Sequence, residues 1–326
     1  MPVEAWVVQS PGGVETMEWR HYSDLIPKGH EVLVRHTVVG VSYIDVFHRN
    51  GVYPAPKPLV PGTEATGIVE AVGPNVKGFK EGDRIVYATL PVGSYGTKRL
   101  IHERYLIKIP DYLDDEPVAA CFLRGLTAHY LLTRLVLIMP GSIVLVHAAA
   151  GGLGQILCQW ASAGGAMVIG TVGSDHKIAH AKKAGCHAVI NYTKYPRFSE
   201  IVMGITKGEG VKVVYDGVGK ATFYESLKCL SSLGLMASIG EPSGLIDNFE
   251  VAHLAARSLF LSRPTVYMYK ADRNELVLSA SEVFTRMEQG IIRPHIHQIL
   301  PIAQVAKAHK DLEARKVIGQ QVLKVS

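Results

Sequence analysis

The rhythm of apolar and polar positions along this chain changes near residue 125. Before that point, apolar residues recur at every second position in short runs bounded by glycine and turn residues. This is the period of half-buried strands, and it predicts them over 31–38, 67–73 and 83–88. Residues 42–49 predict a helix that ends before Gly51, and Pro54, Pro56, Pro58 and Pro61 prevent its continuation. Asp114-Asp115-Glu116-Pro117 places acids in the first turn of a further helix. From 125 to 265 apolar runs instead alternate with helical periodicity. Strands are expected at 143–146, 166–172, 188–191, 211–216 and 235–240, with helices at 155–161, 177–184 and 221–230 between them. Such alternation produces a doubly wound parallel sheet. The tail, 266–326, predicts helices at 275–289 and 302–315 and a closing strand at 322–325.

The central run reads Ile143-Val144-Leu145-Val146-His147-Ala148-Ala149-Ala150-Gly151-Gly152-Leu153-Gly154. A buried strand turns through small residues into a helix, and a second apolar strand follows. This is the strand–glycine turn–helix–strand unit that binds dinucleotides. Gly151 allows the backbone to approach a pyrophosphate, and Gly154 allows the helix to pack tightly on the strand. The helix N-terminus offers free N–H groups and a positive dipole end to phosphate. The glycine pattern starts imperfectly, because its first position, 149, is Ala.

The end of the second strand selects the nucleotide. An acid about 20 residues past the first glycine would bind the ribose 2′-hydroxyl of NAD. Val172 stands there, followed by Gly173-Ser174-Asp175-His176-Lys177. No acid at the strand end repels a 2′-phosphate, Gly173 leaves room for it, and Lys177 offers it a charge-assisted bond. The expected cofactor is NADPH. Asp175 argues the other way, since turned inward it would favour NADH.

Composition bounds the remaining classes. With 326 residues, 48% hydrophobic and 19% charged, the chain is long enough for about two domains with large cores. The four cysteines, Cys121, Cys158, Cys186 and Cys229, are scattered and form no Cys-x-x-Cys. They predict a reducing compartment without a disulfide framework. With no signal-peptide pattern at the start, a cytoplasmic location is expected. No Asp, Glu, Lys or Arg occurs between Arg134 and Asp175, which mimics a membrane span. Glycine turns divide that stretch into pieces too short to cross, so no membrane association is expected. The net charge of +5 comes without a dense basic run or a stacking motif, which makes nucleic acid an unexpected partner.

Three runs carry a family likeness: Gly62-Thr63-Glu64-Ala65-Thr66-Gly67, the His147–Gly154 run, and Val214-Tyr215-Asp216-Gly217-Val218-Gly219. With the β-rich front and the returning tail, they resemble the zinc-independent quinone oxidoreductases (zeta-crystallin-like) of the medium-chain dehydrogenase/reductase superfamily. Ala at position 149 is normal for that family. The resemblance implies an α/β fold, a Rossmann doubly wound parallel sheet plus a β-rich GroES-like catalytic domain. The expected division is 1–124 catalytic, 125–265 dinucleotide-binding, and 266–326 returning to the catalytic domain. It implies a cofactor site of Ser42, Thr127, Gly151, Gly152, Leu153, Gly154, Gly173, Ser174, Lys177, Tyr192, Gly240, Glu241 and Arg315. Tyr53 is the candidate substrate-contacting or proton-relay residue. Zinc relatives place Cys and His where this chain has Ser42 and Thr63, so no metal is expected. Ser42 and Phe47 also replace the Asn and Tyr common in close relatives, which alters the expected cleft. The implied activity is NADPH-dependent quinone reduction. Reduction of activated C=C bonds in enones or enals is the alternative on the same scaffold. A nucleotide-bound RNA-binding or structural role is a third, of another class. A homodimer is expected through the apolar segment 258–268, an edge that relatives pair across a two-fold axis.

Overall fold

The computed structural model describes residues 2–325. The front of the chain forms β1 (Val3–Val8), β2 (Met17–Tyr22), β3 (Glu31–Val41), α1 (Tyr43–Asn50), β4 (Glu64–Val72), β5 (Arg84–Ala88), β6 (Lys98–His102), β7 (Ile107–Lys108) and α2 (Asp115–Tyr130). The middle forms β8 (Ile143–Val146), α3 (Gly152–Ala163), β9 (Met167–Val172), α4 (Ile178–Lys183), β10 (Ala188–Asn191), α5 (Phe198–Ile205), β11 (Val211–Asp216), α6 (Phe223–Cys229), β12 (Leu230–Ser238), β13 (Phe260–Ser262) and α7 (Val266–Tyr269). The tail adds α8 (Arg273–Glu288), β14 (Ile296–Pro301), α9 (Val305–Glu313) and β15 (Gln320–Lys324).

Two compact units result. The first joins 2–123 with 271–284 and 294–325, and the second joins 124–270 with 285–293. The tail is therefore shared: the end of α8 and the turn after it belong to the second unit. The first unit carries a seven-stranded sheet in the order β14-β15-β3-β4-β5-β7, with β6 also on β3, and a separate β1–β2 hairpin. Its core is rich in β-branched residues, including Val32, Val34, Val39, Val41, Ile85 and Val305. That composition suits a pleated, half-buried surface.

The second unit is a six-stranded sheet in the order β10-β9-β8-β11-β12-β13, with every pairing parallel. Counted within the unit this is 3-2-1-4-5-6, which reverses direction between β8 and β11. In such a sheet the crevice at the carboxyl ends of the strands, at the switch point, is where ligands bind. The charge-free stretch is accounted for by β8, α3 and β9, and no helix among the described residues is long and apolar enough to cross a membrane.

The apolar segment 258–268 is not one strand. Only Phe260–Ser262 pairs with β12; Pro264 follows, and 266–269 is helical. Proline lacks the N–H that a continuing ladder needs. β12 begins at Leu230, well before the expected 235, and passes Leu233 in a left-handed conformation (φ 59°).

Candidate active site

In the second unit the turn after β8 is built on an unusual backbone. Ala148 takes φ 49°, a conformation L residues rarely adopt. Its carbonyl accepts the Gly151 N–H at 2.8 Å. A Cβ on Gly154 would stand 2.2 Å from that same oxygen, so only glycine lets α3 start this close to the turn. Gly151 is the N-cap of α3 and brings no side chain to its first amides. Those of Gly152, Leu153 and Gly154 precede the first intrahelical bond, made by the Gln155 N–H to Gly151. The result is a bare, positively polarised helix start.

The Ala at 149 has a local explanation. It is fully buried, and a Cβ added at Gly170 on β9 would lie 2.9 Å from its methyl. The glycine missing from the turn is present instead on the neighbouring strand.

His147, at the tip of β8, braces this turn. Ser226 Oγ donates to the Thr222 carbonyl, so it accepts from His147 Nε2 at 2.7 Å, and Nδ1 takes the Thr171 hydroxyl at 2.7 Å. Burial holds its pKa below the ordinary imidazole value, so the ring is neutral and ties β8 to β9 and α6. Asp216, buried at the end of β11, accepts the amides of Val218 (2.7 Å) and Gly219 (3.0 Å) and the Thr222 hydroxyl (2.8 Å). This shapes the 217–219 turn, against which Gly240 packs: a Cβ there would sit 3.3 Å from the Gly217 carbonyl. Glu241 is held by Arg263 at 3.0 Å.

At the end of β9, Gly173 lies beneath Tyr192, whose hydroxyl would be 3.1 Å from an added Cβ. Thr193 donates to the Gly173 carbonyl at 3.1 Å. Ser174 and Lys177 follow in one short 3-10 turn, with the Lys177 N–H on the Ser174 carbonyl at 3.1 Å, and both are half-buried. Asp175 is exposed, and its carboxylate accepts the Asn191 side-chain amide at 2.8 Å. The structure thus sets Tyr192 over Gly173, places Ser174 and Lys177 in the short turn that follows, and engages Asp175 with Asn191. Thr127 lies in the same unit, half-buried on α2.

Ser42, Tyr53 and Arg315 belong to the first unit. Tyr53 is half-buried in an aromatic group, with its ring 5.0 Å from Phe47 and 5.8 Å from His48. Ser42 precedes α1 and gives its N–H to Asp45 at 2.8 Å. Arg315 is exposed just past α9, with φ 57°. Thr63, at the other position compared with zinc relatives, is fully buried and donates to Asp45 at 3.0 Å. His295 and His297 are exposed, and among the described residues no group of three His, Cys, Asp or Glu is placed to hold a metal.

Asp45 itself is not among the residues that the sequence singles out. It is completely buried, and burial, with Glu64 adding, pushes its carboxyl up to about 7. It leads into a polar chain of Tyr95, His309 and Arg49. The sequence offers only a faint signal, a capping-box acid three residues after Ser42.

A GroES-like β unit together with a 3-2-1-4-5-6 parallel sheet defines a medium-chain dehydrogenase/reductase. Comparison with known families agrees: an alcohol dehydrogenase GroES-like domain model matches residues 28–111 and a zinc-binding dehydrogenase model matches 152–281. The chain is 41% identical over 314 residues to a quinone oxidoreductase of Pseudomonas aeruginosa, covering 96% of each. It is 39% identical to a 2-haloacrylate reductase of Burkholderia sp, covering 98% of each. The crystal structure of Escherichia coli quinone oxidoreductase complexed with NADPH superposes with a TM-score of 0.96 at 38% identity, over 98% of this chain and 99% of that one. The chain belongs to the quinone oxidoreductase family of the medium-chain dehydrogenases/reductases.

Proposed function

We propose that this protein is an NADPH-dependent oxidoreductase that reduces quinones without zinc. The observation that carries the cofactor choice is the end of β9, where Val172 and Gly173 replace an acid and Asp175 is engaged by Asn191. The pyrophosphate would sit at the bare start of α3, at Gly151, Gly152, Leu153 and Gly154, where the N-cap glycine brings no side chain over the first amides. Gly173, Ser174, Lys177 and Tyr192 would hold the 2′-phosphate. Thr127, Gly240, Glu241, Ser42 and Arg315 would orient the rest. NADPH, when bound, supplies the reducing equivalents.

The donor set of the first unit fits this chemistry. Ser42 and Thr63 provide hydroxyl and amide groups where zinc relatives provide thiolate and imidazole. Such a site does not assemble the Lewis acid that stabilises an alkoxide, but it serves an acceptor that is already electrophilic. The protein then contributes mainly orientation. Tyr53, with Phe47 and His48 around it, offers an aromatic wall for a planar acceptor. Reduction of an activated C=C bond is the second reading, favoured by the 2-haloacrylate reductase at 39% identity over nearly the whole chain. The four free, buried thiols favour a reducing, cytoplasmic setting.

Loss of NADPH absorbance should be followed with p-benzoquinone, with an enone and with 2-haloacrylate, before and after prolonged chelation. Quinone-dependent consumption that survives chelation is expected. Consumption with the C=C substrates alone would establish the second reading. Activity lost together with stoichiometric zinc, seen by elemental analysis, would overturn the metal-free assignment.

A further inference from the structure

Behind Ser42 lies a chain of buried polar groups for which the proposed chemistry has no use. Arg49, on α1, is almost fully buried. Its guanidinium forks onto Glu313 at 2.7 and 3.1 Å, gives Nε–H to the Gly12 carbonyl at 3.1 Å, and points Nη1 at His309 Nδ1 at 3.2 Å. His309 Nε2 meets the Tyr95 hydroxyl at 2.9 Å, and that hydroxyl donates to Asp45 Oδ2 at 3.1 Å. Asp45 also receives the Ser42 N–H and the Thr63 hydroxyl.

Elementary hydrogen-bond rules give this chain one direction. A guanidinium in a protein only donates, so His309 Nδ1 must accept from Arg49. A neutral imidazole then carries its proton on Nε2 and donates to Tyr95. Tyr95 spends its proton on Asp45. Protonating His309 would set Nδ1–H against Arg49, and burial together with Arg49 lowers its pKa to about 3. Around Asp45 the titratable and charged groups are Glu64 from β4, Tyr95 from the loop before β6, then one bond further His309 from α9, and one beyond that Arg49 from α1. The loop that presents Tyr95 is itself fitted: Gly62 sits at φ 92°, where a Cβ would run into Ser94 and the Tyr95 ring.

The two ends of the chain meet the two first-unit residues assigned to the cofactor. Asp45 fixes the Ser42 amide at the start of α1. Arg49 fixes Glu313, two residues before Arg315, where α9 ends with the Arg315 N–H on the Leu312 carbonyl at 2.9 Å. We propose that the Asp45–Tyr95–His309–Arg49 chain is a one-way hydrogen-bonded strut that holds Ser42 and Arg315 in register for NADPH, with Tyr95 and His309 as positioning residues. This rests on the reading that Ser42 and Arg315 contact the cofactor.

Tyr95→Phe severs the strut by one atom and keeps the ring. In the unaltered protein, nitrogen NMR of the His309 ring should show a neutral Nε2–H tautomer from about pH 5 to about pH 8, around the ordinary imidazole value, with or without NADPH. In Tyr95→Phe the dissociation constant for NADPH, read by fluorescence titration, should rise about fivefold to tenfold, the equivalent of one buried hydrogen bond. The turnover number should stay within about twofold, because the lost contact serves binding alone. Glu313→Gln, at the exposed end, is the milder variant should Tyr95→Phe not fold, and it should weaken NADPH in the same direction. An Nδ1–H tautomer, or unchanged NADPH affinity in the severed variants, overturns the strut. Arg315→Ala separates the two levels. If it weakens NADPH while the severed variants do not, only the strut fails; if it has no effect, the cofactor assignment of Arg315 fails first and the strut with it.

Discussion

Lys177 takes its role from its place in the chain, just after a strand end that lacks an acid. In the folded protein it lies one short turn beyond Gly173, over which Tyr192 sits. On the proposed assignment it would touch only the 2′-phosphate and so would bind ground and transition states equally. Lys177→Ala should raise the KM for NADPH about 10- to 150-fold, the span for a bond to a charged group, with kcat nearly unchanged. NADH kinetics should hardly move; equal losses for both cofactors would show that Lys177 supports the fold instead. Asp45, Tyr95 and His309 are not legible in the same way, because nothing local links residues so far apart in the chain. Their burial has a further effect. His36 and His309 are lowered from 6.5 to about 4 and about 3, chiefly by burial. The unfolded chain takes up protons below pH 6.5 that the folded one refuses, so stability is complete above that value and is lost as pH falls toward 4. Asp45, raised from 3.8 to about 7, has the opposite sign: the folded state keeps a proton that the unfolded state has released, so its contribution declines as pH rises through that window. The histidine shifts together are larger. Calorimetry should therefore show Tm falling on acidification from about pH 6.5, and falling more steeply in Asp45→Asn. A Tm that rises on acidification would contradict the assignment of His36 and His309 as buried, neutral histidines.

At the scale of elements, the β8–α3–β9 unit is readable because its periods, its glycines and its lack of charge all agree. The residue that looks out of place, Ala149, is compensated by Gly170 across the strand pair, a relation invisible along one dimension. Sequence pattern misses the elements defined by their partners: the β1–β2 hairpin, β6 on β3, and β14 beside β15. The irregular turn at Leu131–Leu135, a π-type extension of α2, leaves no signal either. The close start of α3 can be tested directly. A methyl in Gly154→Ala would meet the Ala148 carbonyl, so the turn must shift. Chemical denaturation should show a loss of about 1–3 kcal/mol, the cost of overpacking, together with weakened NADPH binding. A variant with unchanged stability would mean that the turn has slack it is not expected to have.

At the scale of the molecule, β13 ends its sheet, and Phe260 and Leu261 on it are 58% and 36% exposed. An exposed apolar edge pairs readily with another strand. Joining two β13 strands about a two-fold axis would give one continuous sheet, and light scattering should report twice the 35.5 kDa chain mass, with Phe260→Lys shifting it toward one. A single-chain mass at micromolar concentration for the unaltered protein would rule this interface out. The first unit also has a history in time, written into its connectivity. β3 pairs with β15 through Val38–Val41 and Gln321–Lys324, so a strand made early needs one made much later. Domains generally fold in the order in which they are synthesised. Here the second unit, drawn almost wholly from one continuous stretch, is ready first, while β3 leaves the ribosome with one edge open. The nascent chain must carry that edge unpaired, and so open to association, until Gln321–Lys324 have emerged.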